Sequence, residues 1–368
     1  MSSDRSIAIA KFKKAALSSG RWCRVQIPPI VKSRATIWPL LVGALVLTCL
    51  GSLVVGRFGV PFSHVVGILL NNVIPIEPYW TNVEARVVEL IRLPRIMLAA
   101  LAGAGLAVAG AALQGIFRNP LVGPQIIGVS SGAAFGGALA ILLSESQLLL
   151  ITLAFVFGLL AIIIVYGLSR QRGQAPVLML VLSGVVTSAF FSALVSLTKF
   201  VADPDDKLPA IVFWLMGSFA SASYDKVWLI AIPVIGGSIA VYLLRFQINV
   251  LSLGDEQAKS LGLKVEHTRW IVLSAVALIS AAVVAAAGIV GWVGLVIPHF
   301  ARMLTGPDHR LMIPAAALIG ATYLIIVDDF ARASISAEIP VGIITAVVGA
   351  PIFAYLLRRS QSKGWSGE

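Results

Sequence analysis

"NVLSLGDEQAKSLGLKVEHTR", Asn249 to Arg269, is a polar and charged island between two long apolar runs, about Val227–Leu244 and Trp270–Ala286. A helix needs about 20 predominantly apolar residues to cross a bilayer, and the flanking runs approach that length. The whole chain repeats the pattern. Its 368 residues are 58% hydrophobic and 12% charged, with a mean hydropathy of +0.94. Soluble domains hold roughly 45–50% apolar and about 25% charged residues, so this composition is displaced toward lipid on both counts. The island is therefore a connection between membrane spans, and the fold class is all-α and polytopic.

Walking outward from the island, apolar runs recur at about Thr36–Gly56, Arg92–Phe117, Ile126–Leu143, Leu148–Leu168, Val177–Val201, Val227–Leu244, Trp270–Ala286, a short Gly-broken "GIVGWVGLVIPH", Leu311–Val327 and Val341–Leu357. Ten spans are predicted. Gly59–Val88, with Pro61, Pro75 and Pro78, reads as an outer connection, and the second span is taken to start at "RLPR", Arg92–Arg95. "LPAIVFWLMGSFASAS", Leu208–Ser223, is too short and too interrupted to cross, and reads as a partly inserted outer helix packed against protein. The organisation expected is a basic tail over residues 1–35, a transmembrane domain over 36–358 and a short tail over 359–368.

The net charge of +11 raises the question of a nucleic-acid partner, and its distribution answers it. Eight Lys/Arg fall in the first 36 residues beside one acid, Asp4. Others cluster at Arg170/Arg172, Arg245–Arg269, Arg302/Arg310 and Arg358/Arg359/Lys363, while Glu77, Glu84, Glu89, Asp203, Asp205, Asp206, Asp328, Asp329 and Glu338 occupy the alternate gaps. That alternation is the positive-inside signature, with both termini cytoplasmic. Basicity here reports topology, and no nucleic-acid partner is implied.

The same residues exclude several chemistries. Cys23 and Cys49 form neither a disulfide framework nor a metal motif. His64, His267, His299 and His309 have no paired metal or catalytic spacing, and no phosphate-binding Gly-rich loop is present. A stand-alone ion-coupled carrier would place an acid or His within the bilayer, and none stands mid-span unless Asp328 and Asp329 sink inward. The chain thus reads as neither an enzyme nor a carrier that powers itself. Small-residue runs such as "ALAGAGLAVAGAALQG", Ala100–Gly115, read as close helix packing.

Within the island, "GDEQAKSLG" suits a short helix. Asp255 and Glu256 occupy its first turn and Lys259 follows, matching the helix dipole. Gly262 is a helix stop, and Ala258 and Leu261, three apart, are expected on one face. Such an element could dock a partner or be a solvated loop, and the pattern alone does not separate the two.

Glu256-Gln257-Ala258-xxx-Gly262 resembles the Glu-x-Ala-xxx-Gly coupling motif of ABC importer membrane subunits. "RLPR" (Arg92–Arg95), "GAALQGIFRNPLVGPQIIGVSSGAA" (Gly110–Ala134), "FWLMGS" (Phe213–Ser218), "GWVGLVIPHFARMLTGPDHR" (Gly291–Arg310) and "AEIPVGIITAVVGAPIF" (Ala337–Phe353) are similar to the FecCD-type permease family, in its order and spacing. The resemblance implies a type II ABC importer permease in a bacterial or archaeal cytoplasmic membrane. It implies a second permease copy, two cytoplasmic ATPase subunits that hold ATP and magnesium, and an extracytoplasmic substrate-binding protein, with no cofactor or metal on this chain.

By the same resemblance, Gly254, Asp255, Glu256, Ala258 and Gly262 form the ATPase-coupling helix. Arg92, Arg95 and Arg332 would meet acids of the binding protein, although interfacial anchoring explains their positions equally. The fifth span would line the pathway through Ser183, Thr187, Ser188 and Ser192, with Val177 and Leu178 as an apolar cytoplasmic gate. The cargo implied is a metal chelate such as a ferric siderophore, haem or cobalamin. An oxyanion such as molybdate is the alternative, and the lack of Arg or Lys along most of that span leans toward the chelate.

Overall fold

The computed structural model describes residues 34–170, 176–335 and 337–361. The basic N-terminal tail before Arg34, residues 171–175 and the end of the C-terminal tail lie outside the described residues. The chain divides into two units, residues 1–40 and 41–368. Of the first, Arg34–Leu40 are described and form the opening turns of a helix. The second carries every other element.

Every regular element among the described residues is helical: α1 (Arg34–Val54), α2 (Phe62–Asn71), α3 (Asn82–Ile116), α4 (Val129–Leu143), α5 (Gln147–Ser169), α6 (Val177–Val201), α7 (Lys207–Leu215), α8 (Tyr224–Leu243), α9 (Arg245–Leu251), α10 (Asp255–Ser260), α11 (Val265–Ala287), α12 (Val293–Thr305), α13 (His309–Ser334) and α14 (Val341–Gln361), with a 3₁₀ turn at Pro124–Ile127. Seven are long and apolar enough to cross a bilayer: α1, α3, α5, α6, α8, α11 and α13. The shorter apolar helices α4, α12 and α14 stand where the remaining three of the ten predicted spans were expected. The chain is a polytopic, all-helical membrane protein.

Two of the boundaries that differ from the sequence reading bear on the charged residues. The stretch read as an outer connection contains α2, and α3 begins at Asn82 rather than Arg92. A capping box starts α3: the Thr81 hydroxyl accepts the Glu84 N–H at 3.2 Å, and the Glu84 carboxylate accepts the Thr81 N–H at 2.7 Å. Hydrophobicity alone does not report such a cap. A π-helical turn over Val87–Arg92 then leads into Pro94, whose ring and missing N–H would break a regular ladder there. Arg92 and Arg95 are consequently inside a helix instead of at its start.

The interior is built on α3 and α11, which are buried over most of their length. α3 packs most extensively on α13, and also on α8, α12 and α11; α11 meets α5, α8 and α4. The small residues set these crossings. A Cβ at Gly103 would fall on the Gly320 carbonyl oxygen and one at Gly320 on that of Gly103, so α3 and α13 touch backbone to backbone. Gly110 meets Gly294 of α12 in the same way. Without a hydrophobic drive between helices in lipid, such van der Waals contact is the main cohesive force. By contrast α1, α5 and α6 leave most of their surface uncovered by this chain.

Candidate functional site

The island folds into two short helices at the end of the bundle where α3 stops and α13 starts. Gly254 opens α10 with φ 127° and Gly262 closes it with φ 80°. The Leu263 N–H bonds the Ala258 carbonyl at 3.0 Å and the Gly262 N–H that of Lys259 at 2.9 Å, a Schellman stop that favours glycine at 262. Ala258 is fully buried and seats α10 on the bundle, whereas Glu256, Gln257, Lys259 and Ser260 are exposed. Leu261 is exposed as well, so the expected shared face of Ala258 and Leu261 is not formed: the helix ends at Ser260 and Leu261 turns away.

Asp255 turns inward. Both of its oxygens accept from Nη2 of the fully buried Arg269, at 2.9 and 2.8 Å, and Arg118 lies 3.6 Å away. Glu266 takes the other Arg269 nitrogen at 3.2 Å. Beside this cluster the Asn249 amide donates to Asp308 at 2.8 Å, and the Asn249 carbonyl oxygen accepts from the backbone and ring N–H groups of His309 at 3.0 and 2.7 Å. Asp308 also caps α13 through the Arg310 N–H at 2.9 Å. Burial works against the Asp308 carboxylate, but the Arg310 N–H, the Asn249 amide and the neighbouring positive charges hold its pKa below the ordinary value.

At the opposite end of α3 the three arginines expected to face a docking protein turn inward instead. Arg92, Arg95 and Arg332 are all buried. Arg92 donates to the Leu53 and Val54 carbonyls, at 2.5 and 3.2 Å, and to that of Phe58. Arg95 makes a forked pair with Asp328 at 2.8–3.0 Å and reaches Glu338 at 3.0 Å. Arg332 bonds Ser52 and Asp329. Asp328, read from sequence as belonging to a gap, has sunk to 2% exposure inside α13 and is held there by Arg95. Because α3 starts early, both arginines stand within it, Arg95 against α13 and Arg92 against the end of α1.

The polar stripe predicted along the fifth span also points elsewhere. Ser183 and Thr187 of α6 are buried, with Gly184 against the Ile126 carbonyl and Thr187 beside Gly128, so they receive the 3₁₀ turn. Ser188 is half-buried and Ser192 exposed. The uncovered face of α6 consists of Leu178, Leu182, Val185, Val186, Phe190 and Leu197 with Ser192 and Ser196 among them, while Val177 is half-buried. A serine stripe is legible in sequence but the direction of each member is not, and the packed bundle separates Ser183 and Thr187 from Ser192.

One feature of this region escaped the sequence reading. Three chain interruptions converge: the stop after α7 at Gly217 (φ 75°), the α11–α12 break at Gly288–Trp292, and the start of α14. They are tied by Val341 N–H to the Gly217 carbonyl at 2.9 Å, Gly342 N–H to that of Met216 at 3.1 Å, and Ser218 N–H to that of Ala287 at 2.8 Å. Trp292 is itself left-handed, at φ 69°. A cavity of about 440 Å³ opens here among Gln125, Met216, Trp292, Ile343 and Val347. Non-helical backbone at membrane depth is tolerated where it lines a cavity. The clustered glycines Gly217, Gly288 and Gly291 were the available signal. A larger groove of about 600 Å³ between α5, α8 and α11 is apolar except for Thr152 and touches none of these residues.

The described residues form a many-spanning bundle with one short charged helix at its end. The profile of the FecCD transport family matches residues 44–359, and the chain belongs to that family. It is 44% identical over 320 residues to the molybdate import system permease protein MolB of Haemophilus influenzae, covering 87% of this chain and 94% of the relative. It is 41% identical over 273 residues to the cobalamin import system permease protein BtuC of Halobacterium salinarum, covering 74% and 73%. Among solved structures, a metal-chelate type ABC transporter in an inward-facing conformation superposes with a TM-score of 0.79 at 43% identity, over 88% of this chain and 99% of that one. The chain is thus a multi-pass permease subunit of an ABC importer, in a family whose members work with ATPase partners and a second permease subunit.

Proposed function

We propose that two copies of this chain form the membrane pathway of an importer for a metal chelate, handed over by a substrate-binding protein and driven by two ATPase subunits seated on α10. The carrying observation is α10 itself. Ala258 anchors it, while Glu256, Gln257 and Lys259 are offered to a partner on the face away from the bundle. Cytoplasmic ends for both termini follow from the charge alternation of the gaps.

The uncovered face of α6 and the cavity at Gln125 and Trp292 then line the route between the two copies, with Val177 and Leu178 as its apolar inner constriction. That wall is apolar with scattered hydroxyls and offers no cation from Val177 to Thr198, which suits a bulky chelate better than an oxyanion. Arg92, Arg95 and Arg332 serve the docking surface from beneath by fixing the helix ends that form it. A second reading, molybdate import, draws on the 44% identity to the Haemophilus influenzae permease.

The test is uptake into proteoliposomes holding the chain, its ATPase and its binding protein. Accumulation of an iron chelate, haem or corrinoid upon addition of ATP supports the proposal. Accumulation of molybdate alone replaces the cargo and keeps the importer. Transport without ATP or binding protein overturns both. Glu256→Arg is expected to abolish ATP-driven uptake while the chain still inserts.

A further inference from the structure

Resting on α10 as the ATPase seat, we infer that Asp255 and Arg269 form the link that carries the motion of α10 into the transmembrane bundle. Three observations converge on this pair. First, Asp255 is the charged residue of α10 that faces inward, whereas Glu256 and Lys259 face out. Second, its carboxylate meets Arg269 with both oxygens, at 2.9 and 2.8 Å, and the Arg269 side chain is fully buried. Third, Arg269 stands near the start of α11, one of the two most buried spans, which itself packs on α3, α4, α5 and α8.

The magnitudes pick out this pair over its neighbour. Arg118 also approaches Asp255, but at 3.6 Å and with 42% of its side chain exposed. Contacts of that kind are screened by water and contribute little. The Arg269 guanidinium is different: it is fully buried, and pulling Asp255 away takes a close charged partner from it and leaves Glu266 on its own helix, at 3.2 Å, to hold it, a loss that a buried charge resists. The pair therefore resists being pulled apart, and a displacement of α10 is followed by the first turns of α11. Gly254 completes the arrangement. A Cβ there would collide with the Gln257 side-chain oxygen, and φ of 127° turns the chain so that Asp255 enters the bundle. Asp255 and Arg269 are positioning residues: they touch neither cargo nor nucleotide.

The experiment uses the reconstituted complex of permease, ATPase and binding protein, with Asp255→Asn, Arg269→Lys and their combination, and Glu256→Arg as the control on the seat. The readouts are the ATPase retained on the permease and the cargo moved per ATP hydrolysed. Each single variant is expected to retain the ATPase and to lower cargo per ATP by about tenfold, within the usual range of site-to-site coupling. The double variant falls no further, because the two residues act as one unit. Unchanged cargo per ATP in both single variants, with Glu256→Arg still uncoupled, overturns the link and leaves the seat standing. If Glu256→Arg is also fully coupled, the seat itself is wrong. Additive losses, or loss of the ATPase, likewise overturn the link.

A second measurement leaves the pair intact. Spin labels at Lys259→Cys and Ile271→Cys, with Cys23→Ser and Cys49→Ser, report the α10–α11 distance with and without ATP. A constant distance is expected. A change of a full helical turn, about 5.4 Å, sinks the proposal even if the Asp255 and Arg269 variants fail to insert.

Discussion

Charged side chains gather around both ends of α3 and are used in opposite ways. At its start, Arg92, Arg95 and Arg332 are turned inward onto Asp328, Asp329, Glu338 and the end of α1. At its finish, Asp255 and Arg269 form one inward pair, and the rest of α10 displays Glu256, Gln257 and Lys259 to the outside. The first end ties helix termini together. The second end holds one short helix by Ala258 and Asp255 and leaves its outer face uncovered.

The contrast can be broken most sharply at Arg95. Arg95→Leu strands Asp328 at 2% exposure without its guanidinium, and a loss of about 3–5 kcal/mol is expected for breaking a buried pair from one side. Thermal unfolding of the purified chain measures it, and a shift no larger than that of a surface variant would mean the pair is not structural. Next is the crossing that keeps the two ends apart. Gly103→Ala pushes a methyl onto the Gly320 carbonyl and is expected to cost about 1–3 kcal/mol. Gly43→Ala, with nothing within 4 Å, is the matched control and should be neutral or mildly favourable.

A like-for-like substitution then compares the ends directly. Glu338→Arg sets a cation beside Arg95 and is expected to destabilise by about 1–3 kcal/mol. Glu256→Arg, on an open face, is expected to stay within about 0.5 kcal/mol of the parent while abolishing coupled transport. Equal destabilisation would erase the distinction drawn here. The smallest effect belongs to Asp308. Its pKa is depressed in the folded chain, so the stability it contributes is present above the ordinary carboxylate value of about 4 and is lost as pH falls through the folded value. The stability difference between the parent and Asp308→Asn should be flat above pH of about 4 and shrink below it. A difference that grows on acidification would contradict the assigned direction.

Much of the architecture was legible in the linear chain because lipid imposes a length and a polarity that hydropathy reads directly. The limits of α6 match the predicted fifth span, Val177–Val201. α10 with its Gly254 and Gly262 punctuation was legible for the same kind of local reason: dipole, stop residue and spacing all act within one short segment. The start of α3 was not, because a capping box and a π turn override the apparent end of the apolar run.

What the sequence by itself determined is the class of molecule, the order of its apolar runs, the small residues where helices meet, and the short charged helix at Asp255–Ser260. Tertiary structure alone decided which way the side chains look. Thr187 meets the residues of the 3₁₀ turn and Ser183 is buried instead of lining an open wall, Asp328 sinks to meet Arg95, and Asp255 separates from Glu256 by facing Arg269. The physical reason is that a charge or hydroxyl in a low-dielectric interior is placed by its partner, which lies on another element, 14 residues away for Asp255 and Arg269 and 233 for Arg95 and Asp328. Local pattern carries a helix; only the packed bundle assigns its faces.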